Sequence, residues 1–340
     1  MTPPNTPHPP DAVMMQMILG QGVTFALGAL ARLEVADHMS LELQPVELLA
    51  TKSKVLPDTL YRVLRMLASI GVFTQDGRNF GLTPIGELLR KDAPRSLRNM
   101  AIMMTDPWNV HAYMNLNGSI RDGRDGVTHA FGKNAWELFK EDAAQLHQFQ
   151  LAMTDFTVIL LDPLIEAYDF SSIHRLADVG GGHGTLIAGL LKRQPKLQGV
   201  LFDLPEVVES AKSAGLFAGV EDRIQYQAGS FLESAPAGCD AWIMKHIIHD
   251  WDDESCRTIL TNIRKQMPAN GKVLLFEMVV PDTNEPSPAK MMDIQMLSGT
   301  DGGRERTASE FGTLLESAGL KMERIIPTKS PMSVIEARLG

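Results

Sequence analysis

The sequence predicts an α/β protein with a doubly wound, mainly parallel sheet of seven strands, preceded by a smaller helical domain. In the second half of the chain, short apolar runs alternate with helical segments, as in parallel sheets with crossover helices. The stretch 175–203, RLADVGGGHGTLIAGLLKRQPKLQGVLFD, is typical of a strand, a glycine turn, a helix and a second strand that ends in a carboxylate. These two observations predict at least one βαβ unit within a sheet of this type.

Composition limits the class of protein. With 340 residues, of which 44% are hydrophobic and 21% charged, the chain fits a soluble globular protein of two domains. The net charge of −9 disfavours a nucleic-acid partner, because affinity for phosphate backbones comes largely from clustered Lys and Arg. Cys239 and Cys256 are too few for a disulfide framework, which suits a reducing cytoplasm. Residues 1–11, MTPPNTPHPPD, predict a disordered tail and not a signal peptide.

The region 12–165 is predicted to form an all-α domain. Met14–Leu33 is strongly apolar, but interrupting glutamines and glycines favour a helix buried against another chain or domain over a membrane span. Within 46–73 we predict two short helices, followed by a hairpin that returns through 79–82. This order is typical of a winged helix. Its second helix carries only two arginines, which favours a structural or dimerising role over DNA binding.

The region 93–153 is predicted to be mostly helical, and 155–168 is predicted to connect it to the sheet domain, which takes 166–340. Methionine and aromatic side chains recur along the helical region, among them Trp108 and Met153. Core packing explains each of them singly. As a group they could also line a flat hydrophobic pocket, because such side chains adapt to planar ligands.

The glycine turn predicts a ligand site. Its glycines let the backbone take positive φ and approach a ligand closely, and the following helix offers unpaired N–H groups. The spacing D-x-G-x-G-x-G from Asp178 to Gly184 does not match the dinucleotide pattern G-x-G-x-x-G in any register. This favours S-adenosylmethionine (SAM) over a cofactor with a pyrophosphate. Asp203 ends the next strand, where a carboxylate can accept both ribose hydroxyls.

Beyond Asp203 the alternation of strands and helices continues to the end of the chain. We predict strands at 224–227, 241–244 and 272–277, a closing antiparallel pair at 322–326 and 333–337, and helices at 206–214, 253–267 and 307–317. Ligands of such sheets bind at the carboxyl ends of the strands.

Three candidate catalytic residues follow strand ends or lie in a nearby loop: His249, Glu277 and Glu305. A lone histidine at such a place is more often structural. With two carboxylates in reach, its tautomer can be fixed and its protonated form stabilised, which suits a general base.

A metal site is the competing interpretation of the same segment, because His246 and His249 lie three positions apart with acidic residues nearby. The pattern lacks a recognised ligand spacing, and Asp252 or Asp253 is explained as the N-cap of the next helix. We predict no metal.

From about Ala12 to its C-terminus the chain resembles the plant-type small-molecule O-methyltransferases, the family of caffeic acid, hydroxyindole and bacterial natural-product O-methyltransferases. The motifs DVGGGHG, LFDLP, KHIIHDW, LLFEMVVPD and GGRERT stand in the family's order and approximate spacing. The pair HDW and ERT is more specific than the glycine turn. The resemblance implies a winged-helix domain that forms a homodimer and a Rossmann-like SAM-dependent methyltransferase domain.

Residue roles are carried over by motif. The resemblance implies SAM contacts at Asp178, Gly180, Gly182, Asp203, Ser230, Phe231 and Lys245, catalysis by His249 with Glu277 and Glu305, and acceptor contacts at Met296 and Thr300, to which we add Trp108 and Met153 from the aromatic and methionine pattern. Many relatives carry Gly-Asp where this chain has Gly229-Ser230, so a carboxylate contact to adenine is missing here.

The implied reaction is in-line methyl transfer from SAM to a phenolic or enolic hydroxyl of a small aromatic, leaving S-adenosylhomocysteine. Neither a nucleic acid nor a membrane is an expected partner. Three alternatives remain: a SAM-binding relative diverged to decarboxylation or hydroxylation, a SAM-responsive winged-helix regulator, and a metal-dependent catechol methyltransferase.

Overall fold

The computed structural model describes residues 9–340. These residues form two compact units, one made of the residues up to Pro107 together with Leu151–Asp155, and one made of Trp108–Gln150 and Phe156–Gly340. The chain therefore divides at a different place from the predicted boundary between 165 and 166.

The first unit contains six helices and three short strands among its described residues. The helices are α1 (Pro10–Leu19), α2 (Gln21–Arg32), α3 (Val46–Ser53), α4 (Pro57–Ser69), α5 (Pro84–Glu87) and α6 (Arg98–Met103), and the strands are β1 (Gln44–Pro45), β2 (Phe73–Asp76) and β3 (Asn79–Leu82). Apolar residues of α3, α4 and the hairpin form its core, with Leu49, Leu64 and Phe80 fully buried.

Three details of this unit correct the predictions. The unit is not all-α, because β1 pairs antiparallel with β3 in a sheet of order β1-β3-β2; a two-residue strand containing proline gives no strand signal. The predicted tail 1–11 lies partly outside the described residues, and its end is helical, since Pro10 takes the first position of α1, which proline favours. The apolar stretch 14–33 forms two helices and not one.

Helices α1 and α2 expose much of their apolar surface. More than half of the surface of five side chains is exposed on α1: Met14, Met15, Met17, Ile18 and Leu19. The segment 10–32 is long and apolar enough to cross a membrane by length and composition, a test that buried helices of soluble proteins also pass. Exposed apolar surface of this extent is typical of sites that contact proteins, membranes or ligands.

The second unit holds the large sheet. Its strands are β4 (Arg175–Val179), β5 (Gln198–Asp203), β6 (Ile224–Ala228), β7 (Ala241–Lys245), β8 (Lys272–Val280), β9 (Arg306–Thr307), β10 (Leu320–Pro327) and β11 (Met332–Leu339). The order is β10-β11-β8-β7-β4-β5-β6, with the two-residue β9 paired to β8. The seven predicted strands are therefore present, and β9 adds a short eighth.

Its helices are α7 (Pro107–Met114), α8 (Leu116–Asp122), α9 (Gly126–Phe131), α10 (Ala135–Glu141), α11 (Ala143–Ala167), α12 (Thr185–Arg193), α13 (Pro205–Ser213), α14 (Asp253–Arg264), α15 (Pro288–Gly299) and α16 (Ala308–Ser317). The central residues of α11, Leu151–Asp155, belong to the first unit. The predicted connector 155–168 is wrong: residues up to Ala167 continue α11, and Pro163 does not end it. Helix α15 was not predicted, because its apolar residues are spread around the helix.

The topology places the site. Strands β4 to β8 pair in parallel, and β4 has β5 on one side and β7 on the other. The direction of winding therefore reverses between β4 and β7, and ligands of doubly wound sheets bind in the crevice at such a point. Strands β4, β5, β7 and β8 end there at Val179, Asp203, Lys245 and Val280. Two apolar layers cover the two faces of the sheet.

Candidate active site

The glycine turn after β4 combines two different needs for glycine. Gly182 has φ +58°, and a Cβ there would meet no atom within 4 Å, so the space beside it is open to a ligand. At Gly180 a Cβ would lie 2.5 Å from Ile247 and 3.4 Å from the Phe231 ring. Packing against the segment after β7 therefore requires a glycine at 180. Gly182 instead allows a ligand to approach the backbone closely.

Asp203, at the end of β5, is tied to this turn. One carboxylate oxygen accepts the N–H of Gly182 at 2.8 Å, and the other accepts the N–H of Leu204 at 2.7 Å. Burial raises the pKa of Asp203, against the effect of these two N–H groups. Each oxygen keeps a second lone pair. The carboxylate is therefore held in place and still able to accept the hydroxyls of a ribose.

Asp178 on β4 and Lys245 on the neighbouring strand β7 interact electrostatically, and Asp178 is buried. Burial raises the pKa of Asp178 to about 7, although the charge of Lys245 opposes the shift. Burial likewise lowers the pKa of Lys245, opposed by Asp178, Glu277 and Asp250. Asp178 Oδ2 has no hydrogen-bond partner among the described residues. An unpaired buried carboxylate oxygen beside an open glycine turn fits a cationic ligand such as SAM.

Ser230 and Phe231 follow β6. The Phe231 ring lies edge-on to Trp251 at 5.7 Å between centroids and next to Gly180, where it can contact a nucleobase. The Ser230 hydroxyl accepts the N–H of Leu232 at 3.3 Å, a local contact that supplies no carboxylate. The predicted loss of the adenine carboxylate contact stays a prediction.

His249 lies in a 3₁₀ turn, Ile248–Asp250, after β7, and is 5% exposed. Its Nδ1 is 2.7 Å from Glu305 Oε1, which makes a short, buried hydrogen bond. Its Nε2 is 3.4 Å from Asp250 Oδ1, longer than an ordinary N–H···O bond. With the proton on Nδ1, a tautomer we assign from this network, Nε2 keeps a free lone pair. That nitrogen can take a proton.

The two predicted carboxylates act differently on His249. Glu305 bonds the ring directly, and burial, aided by the charge of Asp293, raises its pKa to about 8. Glu277 is fully buried at the end of β8, and its Oε1 accepts the N–H groups of Ile247 at 3.1 Å and Ile248 at 2.9 Å. It therefore holds the backbone that carries His249. Burial raises the pKa of Glu277 to about 7.

Arg306 is a structural part of the site that the sequence analysis did not single out. Its guanidinium is fully buried and donates to the carbonyls of Ile248 at 2.9 Å and Trp251 at 3.0 Å, and to Asp253 at 2.7 Å. Arg306 therefore bonds carbonyl groups of the turn that carries His249, whereas Glu277 bonds its N–H groups. Its position directly after Glu305 in the ERT motif was the available signal.

His246, His249 and Glu277 offer donor atoms that lie within 4.8 Å of one another. Glu277 Oε1 is occupied by two N–H groups, whereas Glu277 Oε2 and His246 Nε2 have no hydrogen-bond partner among the described residues. His246 stacks between Phe156 and His249, and burial holds its pKa well below 6.5. The absence of a metal stays a prediction.

Three of the four predicted acceptor contacts come together in the second unit. Trp108 on α7 is buried, and its ring lies 4.0 Å from the position of a Cβ on Gly299, at the end of α15. Met296 is buried on α15, and its carbonyl accepts the Thr300 hydroxyl at 2.8 Å. Polar bonds link α7 to α15, from Tyr113 to Gln295 at 2.9 Å and from Gln295 to Asn109 at 2.8 Å. Met153 belongs to the first unit, and its role stays a prediction.

A series of ring contacts runs from this region towards the glycine turn. Trp108 meets Phe139 edge-on at 5.2 Å, Phe139 meets Trp136 at 6.1 Å, and Trp136 stacks on Trp251 at 6.4 Å with the planes 9° apart. Trp251 in turn contacts Phe231. The helices before the sheet and the residues at its carboxyl edge are thus packed through aromatic rings.

Four features define the class of SAM-dependent methyltransferases. They are a doubly wound sheet, an open glycine turn at the point where its winding reverses, an acidic residue at the end of the next strand, and a histidine bonded to a carboxyl group. A family model described as an O-methyltransferase domain matches residues 113–321, and this chain belongs to that family. It is a SAM-dependent O-methyltransferase with a Rossmann-like catalytic domain.

Relatives match along nearly the whole chain. The phenazine O-methyltransferase PhzM of Lysobacter antibioticus is 37% identical over 331 residues, covering 97% of this chain and 96% of the relative. The mitomycin biosynthesis 6-O-methyltransferase of Streptomyces lavendulae is 32% identical over 316 residues, covering 89% and 90%. The crystal structure of LaPhzM superposes with a TM-score of 0.92 at 37% identity over 98% of this chain and all of that one. NcsB1, solved with SAM and 2-hydroxy-5-methyl naphthoic acid, gives 0.78 at 30%, covering 93% and 96%.

The buried Asp178 predicts a pH-dependent stability. Because burial raises its pKa from 3.8 to about 7 in the folded protein, the folded state binds this proton more tightly than the unfolded chain. The contribution to stability is full below about pH 4 and is lost as the pH rises through 7, on the order of 4 kcal/mol at most. We expect the ligand-free protein to lose Tm between pH 5 and pH 8, and Asp178→Asn to lose less.

The measurement is thermal unfolding at both pH values. The exposed Asp222→Asn is the matched control and should show the wild-type loss. An equal loss in Asp178→Asn and wild type would contradict the assignment.

Proposed function

We propose that this O-methyltransferase methylates a phenolic or enolic hydroxyl of a small aromatic substrate, with His249 as the general base. The observation that carries the proposal is the 2.7 Å contact between His249 Nδ1 and Glu305, which leaves Nε2 to take the acceptor's proton. Both residues are buried, so the pair acts in a medium of low dielectric, where charge–charge interactions are strong.

The proton transfer sets the class of acceptor. A phenol with a pKa near 10 and an imidazole near 6.5 differ by about 3.5 units, which makes the transfer unfavourable by roughly 5 kcal/mol. Negative charge on Glu305 or Asp250 stabilises the imidazolium and offsets part of this cost. An aliphatic alcohol is several pKa units less acidic. The proposed base is therefore matched to an aromatic or enolic hydroxyl.

SAM, when bound, supplies the electrophilic methyl group. The residues of the chain hold and align the two partners: Asp203 and the open backbone at Gly182 on one side, Trp108, Met296 and Thr300 on the other. Positioning is the largest contribution that a protein can make to a bimolecular displacement, because the reacting atoms must be close and in line. Neither proton transfer nor alignment requires a metal in this scheme.

The aromatic lining and the relatives support the acceptor class. The relatives named above are a phenazine and a mitomycin O-methyltransferase, and a third, from Streptomyces carzinostaticus, is a 2,7-dihydroxy-5-methyl-1-naphthoate 7-O-methyltransferase. We infer that this chain acts on a comparable aromatic secondary metabolite in the cytoplasm. The intact set of His249, Glu277 and Glu305 favours methyl transfer over diverged decarboxylase or hydroxylase chemistry.

We expect His249→Gln to lower kcat by 10²- to 10⁴-fold, the range contributed by a general base, while the dissociation constant of SAM changes less than threefold. Product formation on a phenolic acceptor and calorimetric SAM titration are the measurements. His174→Gln, at an exposed histidine of the same unit, is the control. Near-normal kcat in His249→Gln with intact SAM binding would remove His249 from the mechanism.

Chelation tests the absence of a metal requirement. Dialysis against EDTA should leave kcat unchanged, since His249 supplies the base in the proposed mechanism and no step requires a metal. Loss of activity that Mg²⁺ or Zn²⁺ restores would contradict the proposal and favour a metal-dependent catechol-type mechanism.

We also propose that the first unit forms a homodimer through its exposed apolar helices, and that it binds neither nucleic acid nor membrane. The five exposed apolar side chains of α1 support the proposal. Light scattering should give twice the mass of one chain for the wild type and one chain for the double variant Met17→Glu, Ile18→Glu. Ile120→Glu, at an exposed site on α8, should remain dimeric. A monomeric wild type would refute this pairing.

A further inference from the structure

We propose that Asp293 is a positioning residue for the base: it fixes Glu305 against His249 and ties that pair to the helix that carries Met296 and Thr300. The inference deepens the proposed function and depends on it. Asp293 lies on α15, and its Oδ1 accepts the backbone N–H of Glu305 at 2.9 Å. The side chain of the same Glu305 reaches His249 at 2.7 Å.

The loop before Glu305 explains why such an anchor is needed. Residues 301–305, DGGRE, contain two consecutive glycines and no regular secondary structure. In the middle of this segment, a Cβ at Gly303 would lie 2.6 Å from the His249 carbonyl, so the backbone packs closely there. The bond from Asp293 fixes Glu305 itself. Without it, the backbone N–H of the residue that orients the imidazole would lose its side-chain partner.

The same helix is bonded to the acceptor side. Gln295, two positions after Asp293, accepts the Tyr113 hydroxyl and donates to Asn109, both on α7. The four residues from Asp293 to Met296 thus include the bond to Glu305, the bonds to α7 and a predicted acceptor contact. An acceptor that settles against α7 and α15 is aligned with the same helix that sets the position of the base.

Asp293 also adds charge. Five charged or titratable side chains lie close enough to Glu305 to interact with it: His249, Asp293, Arg306, Glu277 and Asp250. After burial, the negative charge of Asp293 is the largest cause that raises the pKa of Glu305. Glu305 shares a short hydrogen bond with His249. In the proposed active form Glu305 is ionised, and the charge of Asp293 therefore moves the formation of that form to higher pH.

Two substitutions separate the bond from the charge. Asp293→Asn keeps an oxygen that accepts the N–H of Glu305 but removes the charge. We expect its plateau kcat to stay within threefold of wild type, and the acid limb of its kcat–pH profile to move to lower pH by at least 0.3 unit. Asp293→Ala removes both, so its acid limb moves in the same direction and its plateau kcat falls at least tenfold. Kd for SAM should stay unchanged in both.

The control is Asp301→Asn, which removes the same charge from the exposed start of the loop and should leave both the profile and kcat as in wild type. In a Glu305→Gln background the shift caused by Asp293→Asn should disappear, because the group that it acts on no longer titrates. Single-turnover rates at saturating SAM and acceptor keep product release out of the comparison.

Two results would overturn the inference. An unchanged pH profile in Asp293→Asn would show that the charge does not act on the pair, and an equal kcat in Asp293→Ala and Asp293→Asn would show that the bond does not position Glu305. Both results leave the proposed function standing if His249→Gln is inactive. If His249→Gln is active, the proposal that His249 is the base is refuted, and the inference about Asp293 falls with it.

Discussion

The site depends on how one short segment, residues 246–251, is held at the end of β7. Its backbone N–H groups at Ile247 and Ile248 are bonded by Glu277, and its carbonyls at Ile248 and Trp251 are bonded by Arg306. A carboxylate and a guanidinium, both fully buried, thus satisfy a turn that leaves the sheet and would otherwise expose unpaired backbone groups in the interior. Glu277 and Arg306 thus set the position of the proposed base, and Glu305 sets the orientation of its ring.

The electrostatic consequence is a concentration of buried acids around one histidine. Burial raises the pKa of Asp178 and Glu277 to about 7, of Asp250 to about 6 and of Glu305 to about 8. Without a ligand, each of these groups binds its proton more tightly than it would in water. A cationic ligand such as SAM favours their ionised forms, so donor binding and the charge that supports His249 act in the same direction.

The sequence predicts the fold well where local signals and tertiary structure agree. The turn between β4 and α12 is set by glycines whose positive φ other residues rarely adopt, and the helix predicted after this turn is present as α12. The sequence does not predict α15, whose apolar residues face several directions, or the helical course of residues 155–167, where packing overrides a proline at position 163. Tertiary contacts decide both.

The sequence likewise predicts one part of the candidate site and not the other. Its residue types and their places after strand ends are visible in the sequence, because parallel strands end on one edge of a sheet. The distinct tasks of Glu277 and Glu305 are not visible, since one bonds backbone and the other a ring 56 positions away. The roles of Arg306 and Asp293 are not visible for a similar reason: each bonds backbone atoms of another segment, 58 positions away for Arg306 and 12 for Asp293, and no side-chain motif records such a bond.

Aromatic contacts connect the proposed acceptor side, at Trp108, with the proposed donor side, at Phe231, within the second unit. From Trp108 to Phe231, rings touch in sequence through Phe139, Trp136 and Trp251, and Phe231 lies against the glycine turn. Packed rings transmit displacement because a close-packed interior has little free volume. Trp251 is two residues from His249, and its carbonyl is bonded by Arg306. The aromatic layer therefore packs directly against the segment that carries the proposed base, and its packing constrains that segment together with Glu277 and Arg306.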